Sequence, residues 1–401
     1  MVKWAFVIRQ SFRVKPAFVC SSFCVMASQA ERQPPCPTII IDSGTGFLKA
    51  GLSGPKAIPT VITPCTRGIL SDHFVQHERR YFVEQKERPS VVDFLSLEKL
   101  WNDALTKLKV DVTQHDVILT ESEFNVFKDR KTMAQIIFEK YGAPGLYIGN
   151  ESALSLFSHQ QQSGVVVDCG DDVTTIVMIY RGQLCPSATK TLNYGGRDVT
   201  IRLLSDLVES GYEELKYRSF LNVHEVRKIK EKVAYVLGKP YTDIGDLPKM
   251  DSISVPCPVV KDKVVNIGQE RFMCAEGLFS PGMFPKRDHG IHEAIIDSMQ
   301  SQISCIHDFL YSSIFLCGGC TMLPSFDERL RYELHRRTRK ECIKVNAESH
   351  RQYSAWIGAN HLVNRMPDIL KKLLVTRSEY REEGVEAFER KLCHRTLFDW
   401  Y

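Results

Sequence analysis

Residues Thr38–Gly51 read TIIIDSGTGFLKAG and organise the rest of the chain around them. The β-branched residues Ile39–Ile41 run into Asp42, a turn of small residues follows at Ser43–Gly46, and Phe47–Ala50 has the pattern of a second strand. The stretch therefore predicts a β-hairpin whose tip carries one carboxylate and several exposed backbone N–H groups. Because glycines allow close approach and converging N–H groups attract anions, this tip is a candidate phosphate site, with Asp42 facing a cation or its water shell.

Two commoner phosphate-binding patterns do not describe this hairpin. The Walker pattern needs Gly-Lys-Ser/Thr at the start of a helix, and the chain contains no such sequence. The dinucleotide pattern needs a third glycine three residues after Gly46, where Lys49 stands, and a helix where strand-like residues follow. On its own, the hairpin is compatible with phosphate binding or with a plain tight turn.

A second copy of the pattern lies at Ser163–Gly182, SGVVVDCGDDVTTIVMIYRG. Val165–Val167 lead into Asp168, Cys169–Asp172 form the small-residue turn, and Val173–Val177 read as the second strand. A repeat at about one domain length indicates two similar halves. Two facing hairpins of this kind would hold a polyphosphate and its metal between them.

Composition indicates the domain count and the redox state of the cysteines, and it argues against some classes of function. With 401 residues and 43% hydrophobic content, the chain can bury a large core and should form two domains or lobes. A net charge of +4 gives no reason to expect direct nucleic-acid binding, and no run of eighteen apolar residues predicts a membrane span. Thirteen cysteines without framework spacing indicate reduced thiols of the cytosol or nucleus.

The first 30 residues contain four basic residues and no acidic one. This composition is similar to that of a transit peptide. We favour instead an unstructured or spurious leader over residues 1–37 that lies outside the fold, with Met26 as an alternative start.

Strands and helices alternate through the remainder, which indicates an α/β fold with mixed sheets. Ser96, Asp129 and Asn150 are predicted N-caps of helices. A hairpin is predicted around Lys261–Lys263, and one long helix over Ile291–Tyr311.

From about Thr38 to Cys393 the chain resembles actin-related proteins. The segments that carry the resemblance are DSGTGFLKAGLSG (Asp42–Gly54), LSLF (Leu154–Phe157), VVVDCGDDVT (Val165–Thr174), GGRDVT (Gly195–Thr200), VRKIKEKVAYV (Val226–Val236), NIGQERFMCAEGLF (Asn266–Phe279), GIHEAI (Gly290–Ile295), CGGCTMLP (Cys317–Pro324) and YSAWIGA (Tyr353–Ala359). The resemblance implies the two-lobed fold of actin, Hsp70 chaperones and sugar kinases, built on two ribonuclease-H-like mixed sheets with a nucleotide cleft between them. We expect a first lobe over 38–163 with a shortened upper part at about 55–95, a second lobe over 164–350, and C-terminal helices and tail over 351–401 that pack on the first lobe.

The resemblance also implies roles for individual residues. ATP would be bound by Ser43, Gly44, Thr45, Gly46, Lys49, Gly170, Asp171, Asp172, Thr174, Gly196, Arg197, Lys230, Glu231, Gly318, Gly319, Cys320 and Met322. Asp42 and Asp168 would hold Mg²⁺ or Ca²⁺ through its water shell, since hard cations prefer oxygen ligands. Glu151 takes the place of a glutamine that helps to position the hydrolytic water, and is the candidate catalytic residue.

Several positions depart from the family pattern. Glu151 adds negative charge beside the terminal phosphate, and Asp172 replaces a glycine whose backbone approaches the phosphates. Gln352 and Leu323 replace the lysine and tyrosine that usually flank the adenine. We therefore expect ATP binding to be weak or lost, or to occur without turnover.

Two further departures concern assembly. The chain between Gly51 and Trp101 is shorter than in typical family members, and that part carries the loop that docks on the next subunit of a filament. His361 and Arg365 stand where the target-binding cleft is normally apolar. We expect a monomer or a subunit of a mixed complex, not a conventional homopolymer.

Three other patterns have simpler interpretations. Cys317 and Cys320 have zinc or redox spacing but no second pair, so we expect only a glycine turn there. His73 and His77 are expected to be solvated loop residues. The basic run from Arg329 to Lys340 is interleaved with glutamates, which favours a solvated helix face over an interface for nucleic acid or an acidic partner.

The leading hypothesis is a divergent actin-related protein of the cytoplasm and cytoskeleton, a structural component whose partners are other cytoskeletal or complex-subunit proteins. Two alternatives stay open: an active ATPase of the same superfold with Glu151 as base, and a nuclear subunit of a chromatin-remodelling complex. Fold alone does not choose among them.

Overall fold

The computed structural model describes residues 36–65, 94–122, 127–212, 220–244, 253–258, 264–284, 288–302 and 304–393. The chain divides into two units, Met1–Pro35 and Cys36–Tyr401, and the fold described here belongs to the second. The predictions made for Met26, for His73 and His77 and for Lys261–Lys263 lie outside the described residues.

Fourteen strands are present in the described part of the chain. They are β1 (Ile39–Ser43), β2 (Phe47–Leu52), β3 (Val61–Pro64), β4 (Val117–Glu121), β5 (Gly145–Asn150), β6 (Gly164–Cys169), β7 (Thr174–Tyr180), β8 (Gln183–Leu184), β9 (Lys190–Leu192), β10 (Val255–Pro258), β11 (Val264–Ile267), β12 (Ile314–Cys317), β13 (Val345–Asn346) and β14 (Val375–Thr376). The first sheet has the order β14-β5-β4-β1-β2-β3 and the second the order β13-β12-β6-β7-β8, with β9 also paired to β7. Strands β10 and β11 form a separate antiparallel pair.

Thirteen α-helices connect and cover these strands in the described segments. They are α1 (Phe94–Leu108), α2 (Phe127–Gln135), α3 (Glu151–Ser158), α4 (Gly196–Glu209), α5 (Phe220–Val233), α6 (Glu270–Glu276), α7 (Ile291–Gln300), α8 (His307–Tyr311), α9 (Phe326–Thr338), α10 (Ser354–Arg365), α11 (Pro367–Leu373), α12 (Arg377–Glu383) and α13 (Glu386–Cys393). None of the helices that the structure describes is long and apolar enough to cross a membrane.

The two sheets are built on the same local plan, as the repeated sequence predicts. Strands β1 and β2 form an antiparallel hairpin in which Asp42 lies opposite Lys49, and β1 also runs parallel to β4. In the second sheet β6 and β7 form the hairpin, Asp168 lies opposite Thr175, and β6 runs parallel to β12. The prediction of an α/β fold with two mixed sheets is confirmed.

A shared apolar cluster joins the two sheets. It contains Ile40 from the first sheet, Val166 from the second, and Leu154 and Trp356 from helices α3 and α10. Trp356 is fully buried, and its indole N–H donates to the carbonyl of Ile40 at 3.1 Å. Each sheet also packs against its own helices in a separate cluster on its other face. Helices α3 and α10 are therefore the joint between the two halves.

The end of the described chain returns to the first sheet. Strand β14 pairs antiparallel with β5, and Phe388 of α13 is buried in the first sheet's own cluster. Phe138 and Tyr380 stack there with ring centroids 4.7 Å apart. The residue bounds that we expect for the lobes stay a prediction.

Two helix starts differ from the prediction. Asn150 caps α3 as predicted, because its side-chain oxygen accepts the N–H of Ala153 at 2.9 Å. Helices α1 and α2 begin two residues before Ser96 and Asp129, so neither residue is an N-cap. Phe94 packs against the first sheet's cluster, which favours an earlier start of α1 than the capping pattern indicates.

The single long helix predicted over Ile291–Tyr311 is also wrong. Helix α7 stops at Gln300 and α8 starts at His307, with a short 3₁₀ turn at Ser304–Ile306. The Ser301 hydroxyl donates to the Ser298 carbonyl at 2.7 Å, and the His307 ring lies 3.0 Å from the Gln302 carbonyl. Such local side-chain bonds compete with helix propagation.

The prediction that the basic run forms a solvated helix face is wrong for one residue, Arg329. Arg329 is fully buried in α9, where its guanidinium donates to the carboxylates of Glu276 and Glu333. Arg336 and Arg337 are half exposed, as expected, and pair with Asp243 and Glu293. A charge at position 329 that is enclosed by two carboxylates is part of the core and not of a binding surface.

Candidate nucleotide site

The first hairpin places Asp42 at the end of β1, where it is only 4% exposed. One carboxylate oxygen accepts from the ammonium of Lys49 at 2.7 Å, and the other accepts from the Thr120 hydroxyl at 2.8 Å. Lys49 reaches Asp42 because the two residues are opposite each other in the β1–β2 register, and Thr120 lies at the end of the parallel neighbour β4. Two adjacent strands therefore fix the carboxylate.

Lys49 lies in the field of three carboxylates. Burial alone lowers the pKa of Lys49, but the surrounding carboxylates, Asp42 first among them, together outweigh burial, so the pKa is raised. Asp168 and Glu151 raise the pKa of Lys49 further. Both aspartates predicted to hold the cation, and the predicted catalytic residue, therefore act on the same ammonium group.

Glu151 is the first residue of α3 and is half buried. Its place is set by the Asn150 cap, which directs the chain from β5 into the helix. A carboxylate at the first turn of a helix is favoured by the helix dipole. Glu151 lies close enough to the first hairpin to act electrostatically on Lys49, and its catalytic role stays a prediction.

The second hairpin is braced by the start of α4. The carbonyl of Gly170 accepts the N–H of Gly196 at 2.9 Å, and the carbonyl of Asp171 accepts the N–H of Arg197 at 2.7 Å. The N–H of Gly170 donates to the Val173 carbonyl at 3.0 Å, which closes the turn. These hydrogen bonds hold the loop against α4, and they occupy the carbonyls of Gly170 and Asp171.

Arg197 pairs with both acidic residues of this loop. Its guanidinium lies 3.1 Å from a carboxylate oxygen of Asp171 and 3.2 Å from one of Asp172. Burial lowers the pKa of Arg197, but Asp172 and Asp171 outweigh it and raise the pKa, so the cation is retained. The Asp172 side chain is 44% exposed and is held by Arg197.

The two loops touch each other. A Cβ placed on Gly46 would lie 2.7 Å from the Cβ of Asp171, so a larger residue at position 46 would push the hairpins apart. The glycine is therefore required by the close approach of the second loop.

The hydroxyls of two predicted nucleotide residues, Thr174 and Ser43, have protein partners. Thr174 is fully buried, and its hydroxyl lies 2.9 Å from the Tyr194 carbonyl and 3.1 Å from the Cys169 sulfur. The Ser43 hydroxyl accepts from the indole N–H of Trp101 at 3.0 Å. Both side chains therefore support the loops, and the backbone N–H groups of the first turn stay the predicted phosphate-binding atoms.

The turn after β12 closes the site on the second sheet's side. Gly318 has φ +83°, and a Cβ there would lie 2.3 Å from a carboxylate oxygen of Asp168, so only glycine fits. Gly319, Cys320 and Met322 follow in a single 3₁₀ turn. The turn therefore passes directly beside the second predicted cation residue.

Three of the predicted nucleotide-binding residues, Gly196, Lys230 and Cys320, lie together. The Lys230 ammonium donates to the Gly196 carbonyl at 2.8 Å, and Lys230 is only 6% exposed. A Cβ on Gly196 would lie 3.6 Å from the Cβ of Cys320, so α4, α5 and the Gly318 turn meet at this point. Hydrogen bonding to Cys320, together with burial, raises the pKa of the Cys169 thiol, which stays protonated.

Arg227 is a residue of this region that the sequence analysis does not identify. It donates to the carboxylate of Glu231, which is 49% exposed, at 3.1 Å, and its guanidinium lies 4.1 Å from the centre of the Phe47 ring. Thr120, the partner of Asp42, was missed as well. The only signal for Arg227 in the sequence is its helical spacing of four residues from Glu231.

The donor set fits a cation held through water. In the part of the chain that the structure describes, no three His, Cys, Asp or Glu side chains are grouped so as to bind an ion directly. Asp42 is held by Lys49 and Thr120, and Asp168 lies against Gly318. Carboxylates in such positions suit Mg²⁺ or Ca²⁺ that keeps part of its water shell.

A comparison with known protein families agrees with this geometry. The family model described as Actin matches residues 33–393. The chain belongs to the actin family. Actin-family proteins generally bind ATP with a divalent metal ion, and their two-lobed α/β fold agrees with the two mixed sheets found here.

Proposed function

We propose that this actin-family chain is a divergent actin-related protein that binds ATP with Mg²⁺ or Ca²⁺ as a structural ligand and turns it over slowly or not at all. The observation that supports the proposal is the pairing of Arg197 with both Asp171 and Asp172. Because Asp172, the aspartate that replaces the family glycine, is paired with Arg197, its charge does not by itself exclude a phosphate.

The charges around the loops support binding of ATP only together with a cation. Carboxylates outnumber cations there: the set comprises Asp42, Asp168, Glu151, Asp171, Asp172 and Glu231 against Lys49, Arg197, Arg227 and Lys230. A triphosphate alone would add to this excess, whereas a divalent cation offsets it. When bound, ATP with its cation supplies a charged bridge between the two hairpins.

Slow turnover is inferred from Glu151. A glutamine amide both donates and accepts hydrogen bonds, whereas a carboxylate only accepts, so Glu151 orients an attacking water differently. Its charge is also drawn toward Lys49, whose pKa it helps to raise. Like charges about 4 Å apart repel by several kcal/mol at intermediate dielectric, which disfavours a terminal phosphate beside Glu151.

Phosphate release by purified protein with ATP and Mg²⁺ tests the turnover. We expect a rate at background in the wild type and in Glu151→Ala, and ATP binding tighter by at least about tenfold in Glu151→Gln, which removes the repelling charge. Glu382→Gln, which removes an exposed acidic residue, is the matched control and should change neither. A rate well above background that is lost in Glu151→Ala would establish the alternative, an active ATPase.

We further propose that the protein acts as a cytoskeletal or complex-forming component in the cytoplasm, as a monomer or a subunit of a mixed complex. The support is the shortened Gly51–Trp101 region and the polar residues His361 and Arg365 on α10. Sedimentation under polymerising salt should leave the protein in the supernatant, and cell fractionation should place it with cytoskeletal proteins. Recovery with chromatin-remodelling subunits would instead favour the nuclear alternative.

A further inference from the structure

An arginine and an aromatic ring connect the two halves at the tips of their loops. Phe47 is the first residue of β2 in the first sheet, and Arg227 is on helix α5, which packs with the second sheet's cluster. The Arg227 guanidinium lies 4.1 Å from the centre of the Phe47 ring. Attraction between a cation and the face of an aromatic ring favours this arrangement.

Arg227 is held in place from the second half. Its Nε lies 3.1 Å from the Glu231 carboxylate one turn along α5, and its Nη2 lies 3.7 Å from Asp171 in the second loop. The Arg227 side chain is only 15% exposed. A partly desolvated guanidinium interacts with a ring more strongly than a solvated one.

The contact lies away from the joint between the halves. Helices α3 and α10 join the two sheets through the apolar cluster around Trp356, whereas Phe47 and Arg227 meet at the hairpin tips, next to the Gly46–Asp171 approach. Separating the loops by rotation about α3 and α10 would therefore break the ring contact.

We propose that Phe47 and Arg227 form a latch that keeps the two hairpins together and limits how fast a ligand between them is exchanged. The part of the proposal that concerns ATP rests on the proposed function. Glu231 connects the latch with the predicted nucleotide site, because this predicted nucleotide residue also orients Arg227.

Hydrogen–deuterium exchange of the nucleotide-free protein tests the latch without relying on ATP. Phe47→Leu keeps the apolar bulk but removes the ring face, and Arg227→Met keeps the length of the side chain but removes the charge. Each should speed amide exchange over residues 43–52 about threefold to thirtyfold, the span expected for one cation–π contact. Phe47→Tyr, which retains a ring face, should exchange like the wild type.

A double variant and a control contact complete the test. If the two side chains act through one contact, the Phe47→Leu/Arg227→Met protein should exchange no faster than the faster single variant. Tyr235→Leu removes another arginine–ring contact, Arg271 over Tyr235 at 5.1 Å, that lies within the second half, and should leave residues 43–52 unchanged. Wild-type exchange in both single variants, or multiplicative effects in the double variant, would overturn the latch.

Release of bound ATP gives the second readout. In Phe47→Leu the dissociation rate should rise by the same factor as amide exchange, and Phe47→Tyr should restore it. If the wild type does not bind ATP, the proposed function fails while the nucleotide-free exchange still decides the latch. Binding with an unchanged dissociation rate in Phe47→Leu would overturn only the latch.

Discussion

Arg197 is the residue on which the second hairpin depends, because it is the common partner of Asp171 and Asp172. Its guanidinium is 21% exposed, whereas the Asp172 side chain is 44% exposed. Removing Arg197 takes the closest counter-charge from both carboxylates and leaves Asp171 with only Arg227 at 3.7 Å, whereas removing Asp172 leaves Arg197 with Asp171. The two substitutions should therefore differ in cost.

We predict that Arg197→Gln lowers the free energy of unfolding by about 2 kcal/mol, and that Asp172→Gly lowers it by less than about 1 kcal/mol because the exposed ion pair is screened. Urea denaturation followed by circular dichroism measures both. An equal loss in the two variants would show that Arg197 does not support the loop through Asp171.

At this scale the sequence identifies residues by local pattern but does not identify their partners. Asp42 and Asp168 are recognisable because each follows a β-branched run and precedes a small-residue turn. Thr120 lies on a different strand from Asp42, and Arg227 on a different half from Phe47. Contacts over such sequence separations depend on how the elements pack, so the pairing of Asp172 with Arg197 could not be predicted from the sequence.

Among the secondary-structure elements, α3 and α10 join the two halves by packing closely against each other. A Cβ added to Gly358 of α10 would lie 1.8 Å from the carbonyl oxygen of Leu154 in α3. The backbone of α3 cannot move aside without disturbing the buried cluster around Trp356. Gly358 is therefore what allows the two helices to approach so closely.

We predict that Gly358→Ala lowers the free energy of unfolding by about 3 kcal/mol, because overpacking forces the helices apart. Gly319→Ala is the matched control: its added methyl meets nothing within 4 Å, and its effect should stay within about 1 kcal/mol. Urea denaturation of the two variants measures both free energies of unfolding. A Gly358→Ala protein as stable as Gly319→Ala would mean that the helices are not held at this distance.

Elements with a strong local signal are found correctly, and those whose ends are set by packing are not. The Asn150 cap and both hairpins follow from local chemistry. The break between α7 and α8 depends on side-chain bonds near Ser301 that compete with the helix, and the periodicity of apolar residues continues through it. Sequence periodicity alone therefore merges the two helices.

At the scale of the whole molecule, three buried or half-buried histidines of the described segments make the fold sensitive to acid. Burial lowers the pKa of His159, His292 and His361. Because the unfolded chain takes up protons at about pH 6.5, it binds more protons than the folded chain below that pH, and stability falls. Asp206 acts in the opposite sense: burial raises its pKa from 3.8 to about 6, so its contribution to stability decreases as the pH rises through that interval.

We predict that the free energy of unfolding falls between pH 7.5 and pH 6 and that His292→Asn reduces this fall. His292 is 2% exposed and neither of its ring nitrogens has a hydrogen-bond partner, so protonation is costly in the folded state. His335→Asn is the control, since that side chain is 54% exposed. The same pH dependence in wild type and His292→Asn would exclude His292 as a source of the acid sensitivity.

At the scale of the whole molecule the repeat and the family segments were enough to predict two mixed sheets. What they do not predict is how the charges of the two halves balance when the loops meet. Lys49 acts on carboxylates of both hairpins, and Arg197 and Arg227 both approach Asp171. That balance is the reason to expect ATP with its cation to be retained as a ligand.

The melting temperature measured while ATP is titrated with Mg²⁺ in excess tests this expectation most directly. A ligand that binds only the folded chain stabilises it by about 2.7 kcal/mol at 100 times its dissociation constant. We predict a saturable rise of the melting temperature that requires Mg²⁺ and is reduced in Asp42→Asn, with no phosphate released. An unchanged melting temperature at millimolar ATP and Mg²⁺ would contradict the proposal that the site retains ATP as a structural ligand.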